Sequence, residues 1–271
     1  MNYSLLIFLK GLFMGFADII PGISGGTIAF ITGIYERLVK AVKDITKIPF
    51  IIHKQSLTKT LKLIDYKFVL PLITGIAIAI IIGANIISSL IEAIPFIVYG
   101  FFAGLIASSA LHILEGVKTT YSNTSLLLLA IFTGFLIGFF SFEITNIGFL
   151  GIVSLGFIAI SALILPGISG AYILLMFGQY EYIINSIKNF DWFVLSSFAI
   201  GAILGLALLS RIISYLYDNY RQGTLSTLTG LMIGALIVPL REIIETGEVI
   251  IGLSAALVTI LFYYIIISFN K

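Results

Sequence analysis

Long apolar stretches alternate with short polar ones along the 271 residues of this chain. Six of the stretches are close to the roughly 20 residues that a helix needs to cross a bilayer. They cover residues 67–92, 95–114, 125–142, 192–214, 224–242 and 249–268. The pattern predicts six transmembrane helices and an all-α, polytopic membrane protein.

Two further apolar segments, 4–42 and 148–187, are interrupted in their middle. Pro21-Gly22 breaks the first and Pro166-Gly167 breaks the second, because proline removes a backbone donor and glycine tolerates positive φ. We predict that each is a re-entrant helical hairpin, in which one helix enters, the chain breaks at PGISG and a second helix leaves. Two full crossings fit the lengths nearly as well, so that alternative stays open.

The two interrupted segments are copies of each other. A shift of 145 positions superposes PGISG at 21–25 on PGISG at 166–170 without a gap, and it carries Gly33, Tyr35 and Glu36 onto identical residues. The chain therefore reads as an internal duplication. Paired broken segments in corresponding halves are typical of a transporter's binding site.

Each half consists of a hairpin followed by three spans. The first repeat covers 1–142, with a basic loop at 43–66, and the second covers 148–271. An odd number of crossings per half gives the second half the opposite orientation, which is an inverted repeat. Lysine and arginine cluster in and beside the loop, and basic loops prefer the cytoplasm. This places both termini in the cytoplasm.

Composition narrows the class of protein. The chain is 59% apolar and 10% charged, far from the average of a soluble domain. A net charge of +2 does not suggest nucleic acid binding. Cysteine is absent, and His53 and His112 stand apart from any ligand-spaced cluster, so we expect neither a metal nor a cofactor.

The breaks carry the candidate chemistry. A helix that begins inside the bilayer exposes unpaired N–H groups and the positive end of its dipole, which favours an anion. The candidate binding residues for such an anion are Ser24, Gly25, Gly26, Thr27, Ser169 and Gly170. The alternative is that the serines only cap the helices that follow.

Charged residues near the breaks supply further candidates. Arg211 suits bidentate binding of phosphate, or it reaches for the membrane surface. Asp18 stands one turn before the first break, and its copy position is Leu163. It is a candidate for proton coupling or gating, unless its carboxylate only bonds nearby backbone donors. Glu36 and Glu181 recur after a tyrosine in both copies, and we assign them the same candidate role.

Two segments resemble a known family. GLFMGFADIIPGISGGTIAFITGIYERL at 11–38 and the shorter LPGISGAYILLMFGQYE that begins at Leu165 resemble the PopT-type polyprenyl-phosphate translocases. The resemblance implies transport of undecaprenyl phosphate, a lipid carrier of envelope synthesis, from the outer to the inner leaflet of the plasma membrane. It also implies that the substrate partner is a polyprenyl phosphate, and Asp18 suggests protons as the coupling ion.

Two other functions stay open on the residues alone. One is an intramembrane polyprenyl pyrophosphate phosphatase, although the hairpins offer serines and scattered acids but no histidine. The other is an ion-coupled carrier of a small soluble anion. The sequence leaves open the direction of net transport, the coupling ion, the prenyl chain length and the oligomeric state.

Overall fold

All regular secondary structure in the described part of the chain is helical. The computed structural model describes residues 3–48, 64–140, 142, 144 and 147–269. The helices are α1 (Tyr3–Ile19), α2 (Gly25–Ile31), α3 (Tyr35–Ile45), α4 (Tyr66–Ala93), α5 (Pro95–Glu115), α6 (Tyr121–Phe139), α7 (Phe149–Ile164), α8 (Gly170–Met176), α9 (Tyr180–Lys188), α10 (Trp192–Asn219), α11 (Arg221–Ala235), α12 (Ile237–Glu245) and α13 (Val249–Phe269).

Several helices are suited to cross a bilayer. Five segments among the described residues are both long and apolar enough, and they are Tyr66–Gly83, Pro95–Glu115, Tyr121–Phe139, Trp192–Asn219 and Arg221–Glu245. Two shorter apolar helices, Phe149–Ile164 and Val249–Ile265, accompany them. The predicted class, an all-α polytopic membrane protein, is confirmed.

The same packing pattern occurs in both halves. Helix α1 packs along α4, and its copy α7 packs along α10. Helix α5 packs along α13, while its copy α11 packs along α6. The second span of each half therefore pairs with the third span of the other half, which interlocks the two. The opposite orientation of the halves in a membrane stays a prediction.

Glycines allow these helices to approach closely, as is common between membrane helices. A Cβ atom on Gly100 would lie 2.3 Å from the carbonyl oxygen of Gly252, and one on Gly234 would lie 2.2 Å from that of Ile131. Gly104 and Gly230 are equally tight, against α13 and α6 respectively. These glycines therefore serve helix packing.

The segment that follows each break differs from the prediction. We expected a single helix after each break, but each exit segment consists of two short helices. Gly33, with φ of +72°, separates α2 from α3, and Gly178, with φ of +67°, separates α8 from α9. A residue with positive φ cannot continue a right-handed helix, so the chain turns again after only seven residues.

Two other expectations need adjustment. The predicted span 224–242 is divided at Leu236, where α11 ends and α12 begins. We expected Glu36 and Glu181 at the far end of the single helix that follows each break, but they lie in the first turns of α3 and α9. Most of the predicted basic loop, residues 49–63, lies outside the described residues.

Candidate functional site

The first break leads directly into a buried, capped helix start. Gly22 adopts φ of +81°, which turns the chain between α1 and α2. Ser24 is the N-cap of α2, and its Oγ accepts a hydrogen bond from the N–H of Gly26 at 3.1 Å. Ser24 and Thr27 are each only 1% exposed. The predicted capping role of Ser24 is therefore present in the structure.

Asp18 faces the same helix start. Its Oδ1 accepts a hydrogen bond from the N–H of Gly25 at 2.6 Å, and a Cβ atom on Gly25 would lie 2.5 Å from the other carboxylate oxygen. The first turn of α2 thus already holds an anionic group that belongs to the protein. An external anion has to displace this carboxylate before it reaches the Gly25 donor.

The second break has the same backbone but a different chemistry. Gly167 adopts φ of +91°, and Oγ of Ser169 caps α8 by accepting from the N–H of Tyr172 at 3.4 Å. The position equivalent to Asp18 is Leu163, which is 37% exposed. The helix start of α8 therefore has no carboxylate from that position.

The two breaks are in direct contact. The N–H of Gly167 donates a hydrogen bond to Oγ1 of Thr27 at 2.7 Å, across 140 positions of sequence. Gly26 also lies against the second copy, because a Cβ atom there would be 2.8 Å from the carbonyl oxygen of Leu163. Gly26, Thr27 and Gly167 are buried at this junction, so the two PGISG segments form one structural unit.

Glu36 belongs to a network of ion pairs. Glu36 bonds Lys40 at 2.9 Å and Arg221 at 3.0 Å, and Lys40 also faces Asp218 at 3.5 Å. The hydrogen bond from Lys40, with that from Arg221, lowers the pKa of Glu36 below its usual value of 4.5. This network ties α3 to α10 and α11.

Glu181 and Arg211 make little contact with the junction. Glu181 is exposed and has no ion pair among the described residues. Arg211 is half-buried, and its Nη1 donates to the carbonyl of Ala207, one turn earlier in α10, at 2.6 Å. The structure therefore brings together Asp18, Ser24, Thr27 and the second break, but it does not join these two residues to them.

A cavity of about 680 Å³ opens beside the second break. Its inner end is formed by Leu165, which precedes Pro166, and its outer end by polar residues that include Asn123, Asn219 and Arg221. A second cavity of about 360 Å³ shares Leu165 and continues to Ile168. Sequence reasoning missed this space, although the polar run NYRQ at 219–222 between two apolar spans was a signal.

Among the described residues, no group of three or more histidine, aspartate or glutamate side chains is arranged to hold a metal ion. The polar chemistry of the junction is that of backbone N–H groups, hydroxyls and one carboxylate. The N–H groups and hydroxyls of this set suit binding of an anion through hydrogen bonds, whereas the carboxylate of Asp18 competes with an anion for the Gly25 donor.

Comparison with known proteins gives consistent matches over most of the chain. The profile of a family described as VCA0040-like, undecaprenyl phosphate translocase-like, matches residues 14–252. A polyprenyl-phosphate transporter of Vibrio cholerae is 39% identical over 244 residues, which cover 87% of this chain and 77% of the relative. A polyprenyl-phosphate transporter of Staphylococcus aureus is 26% identical over 250 residues, covering 84% and 83%. No solved structure matches.

Proposed function

Because the chain belongs to the undecaprenyl phosphate translocase-like family, we propose that it moves undecaprenyl phosphate, a polyprenyl phosphate, across the plasma membrane from the outer to the inner leaflet. The matched region, residues 14–252, includes both breaks. This match is the observation that carries the proposal. In this proposal both termini are cytoplasmic and the two halves are inverted repeats.

The phosphate head passes the junction of the two breaks. Backbone N–H groups at Gly25, Gly26 and Gly170, with the hydroxyls of Ser24, Thr27 and Ser169, replace the water that the phosphate loses inside the bilayer. The support is that the junction combines both copies of the motif, through Thr27 and Gly167, at one buried place. Arg211 contributes at a later stage of the passage, once the head has left the junction.

Asp18 gates the junction and couples it to protons. While ionised, its carboxylate occupies the Gly25 donor and repels a second anion. When a proton from water binds the carboxylate, the negative charge disappears and the charge-assisted hydrogen bond weakens. The phosphate then takes the donor, and the proton is released after the phosphate has moved on. Glu36 acts less directly, by holding α3 in place.

A leaflet assay in proteoliposomes tests the function. Labelled polyprenyl phosphate is added to one leaflet, and its arrival in the other is followed for the native protein, Ser24→Ala, Ser169→Ala and Ser254→Ala. Ser254 is a matched control, because it is exposed and bonds only its own helix. We expect at least fivefold slower transport for the two junction variants and a rate within twofold of native for Ser254→Ala.

The outcomes separate the competing functions. No transport by the native protein would overturn the proposal. Equal rates in the native protein and in all variants would exclude Ser24 and Ser169 as ligands of the phosphate. The backbone N–H groups would then remain the candidate donors. Release of inorganic phosphate from polyprenyl pyrophosphate would favour the phosphatase, which the names of the family and its relatives do not. Competition by inorganic phosphate as strong as that by short prenyl phosphates would favour the carrier of soluble anions.

A further inference from the structure

The cavity beside the second break has the shape of a groove. Helix α11 forms its floor, through Leu228 and Leu231, and α6 and α10 form its two walls. Both α6 and α10 pack on α11, but within the described chain they do not pack along each other. The groove is therefore open along one side, between α6 and α10.

That side opening faces the lipid region of the surface. Leu126 on α6 and Ile212 and Leu216 on α10 line the groove, and they are 37%, 43% and 37% exposed. Exposed apolar side chains of this kind on membrane-spanning helices contact lipid tails. A flexible hydrocarbon chain can therefore enter the groove sideways, while the rest of it stays in the bilayer.

The mouth of the groove is polar, whereas its interior is apolar. Asn123, Asn219 and Arg221 lie at the mouth, whereas Leu165, Leu209 and Ile213 lie further in. A volume of about 680 Å³ falls within the range of small-ligand sites, about 300–1,000 Å³. An apolar interior with a polar end matches a ligand that has an apolar chain and a polar head.

The charge at the mouth favours an anionic head. Only Nη1 of Arg221 bonds Glu36, so Nε and Nη2 have no hydrogen-bond partner among the described residues. Lys40 balances Asp218 nearby. The backbone N–H of Lys118 donates to Gln222 at the mouth, so this basic residue lies close to the groove. A guanidinium whose Nε and Nη2 are both free of other partners can bind phosphate in a bidentate manner.

We propose that this groove binds the phosphorylated isoprenoid lipid, with its phosphate on Arg221 and its first isoprene units along α11 toward Leu165. This inference rests on the proposed function and assigns a docking site for the substrate outside the junction. The mouth lies at the end of the bundle that the charge pattern predicts to be cytoplasmic. The groove is thus where the lipid leaves the junction for the inner leaflet.

A fluorescent reporter at the mouth tests binding. Trp192 is the only tryptophan of the chain, so Trp192→Phe removes the background and Tyr220→Trp places a reporter on the groove. Farnesyl phosphate is the probe, with farnesol and inorganic phosphate as comparisons. We expect a saturable signal for farnesyl phosphate, at least fivefold weaker binding for farnesol and no signal for inorganic phosphate at the same concentrations.

Two charge variants test the role of Arg221 in the reporter background. Arg221→Gln removes the guanidinium and is expected to raise the Kd for farnesyl phosphate at least fivefold. Glu36→Gln breaks the same ion pair but leaves the guanidinium, so its Kd is expected to stay equal or fall. Equal weakening by both variants would mean that the ion pair only supports the fold, and it would overturn the phosphate assignment.

Two steric variants link the groove to transport. Ile212→Trp fills the groove, whereas Leu204→Trp adds the same bulk to α10 at a position that is 53% exposed and outside the groove. We expect at least fivefold slower transport for Ile212→Trp and a rate within twofold of native for Leu204→Trp. A native transport rate in Ile212→Trp would overturn the proposed lipid binding in the groove, but it would not contradict the proposed transport function. Groove-specific binding without any native transport would overturn the function instead.

Discussion

Thr27 and Gly167 join the two copies of the broken motif through a single hydrogen bond, from the N–H of Gly167 to Oγ1 of Thr27 at 2.7 Å. In the duplication Thr27 corresponds to Tyr172, which instead donates to the carbonyl of Gly138. This hydrogen bond is therefore made by one side of the repeat only. A substitution of Thr27 therefore tests this hydrogen bond.

Thr27→Val is expected to destabilise the protein. Valine keeps the shape but removes the acceptor, so the buried N–H of Gly167 stays unpaired, which costs about 1–3 kcal/mol. Thermal unfolding in detergent should show a lower Tm, and Thr27→Ser should restore it. Thr133→Val is the control, because Thr133 is exposed and bonds its own helix. An unchanged Tm for Thr27→Val would show that the bond contributes nothing.

Gly167→Ala is expected to disrupt the second break. The residue has φ of +91°, and a Cβ atom there would lie 2.8 Å from backbone atoms of Leu231 and Met232, which cannot move aside. Gly33→Ala is the matched control, since Gly33 also has positive φ but no atom within 4 Å of a Cβ. Gly33→Ala should lower the free energy of unfolding only by the backbone strain of a positive φ, about 1–2 kcal/mol. Yields of folded protein by size-exclusion chromatography should separate the two variants.

At the first break, a second substitution is expected to rescue part of the effect of the first. A Cβ atom on Gly22 would lie 2.2 Å from Cγ1 of Val238 in α12, and the obstacle is a side chain rather than backbone. Gly22→Ala should therefore lower Tm strongly, and the double variant with Val238→Ala should recover part of the loss. The part that remains reflects the positive φ of Gly22. No recovery in the double variant would show that the contact with Val238 is not the cause.

Much of this arrangement could be predicted because its signals are local. The identical PGISG segments revealed the breaks, and small residues four positions apart, such as Gly100 and Gly104, are a local pattern typical of close contacts between membrane helices. Gly33 and Gly178 carried an equally local signal for a second turn, but they were used only as markers of the duplication.

The remaining features depend on contacts between distant parts of the chain. The sequence left open whether Asp18 faces backbone donors, and the structure shows its bond to Gly25. The groove arises because α6 and α10 stay apart on the surface of α11. Hydrophobic patterns show which helices form, but they do not show which pairs leave a gap.

Asp18 should control the pH dependence of transport. Asp18→Asn keeps an oxygen that can accept from Gly25, so its Tm should be close to native, but it cannot gain or lose a proton in the working range. We expect the leaflet assay to lose its dependence on pH in this variant. Asp18→Leu, which copies Leu163 of the second repeat, should in addition lower Tm, because the Gly25 donor loses its acceptor. Native pH dependence in Asp18→Asn would disprove the coupling role.

Glu36 should stabilise the fold in a way that depends on pH. Its carboxylate bonds Lys40 and Arg221, and the bond from Lys40 lowers its pKa below 4.5. A depressed pKa in the folded state means that the stabilisation is present above about pH 4.5 and is lost as the pH falls below that value. Exposed ion pairs contribute less than about 1 kcal/mol each, so the effect is small.

The measurement is the difference in Tm between the native protein and Glu36→Gln from about pH 3.5 to about pH 7, a range that includes the ordinary glutamate pKa of 4.5. The native protein should have the higher Tm at neutral pH, and the difference should shrink toward zero at the acidic end and at high salt. Glu181→Gln is the matched control, because Glu181 has the equivalent place in the second repeat but no ion pair among the described residues. If both variants gave the same pH profile, the network around Glu36 would have no role in holding α3 to α10 and α11.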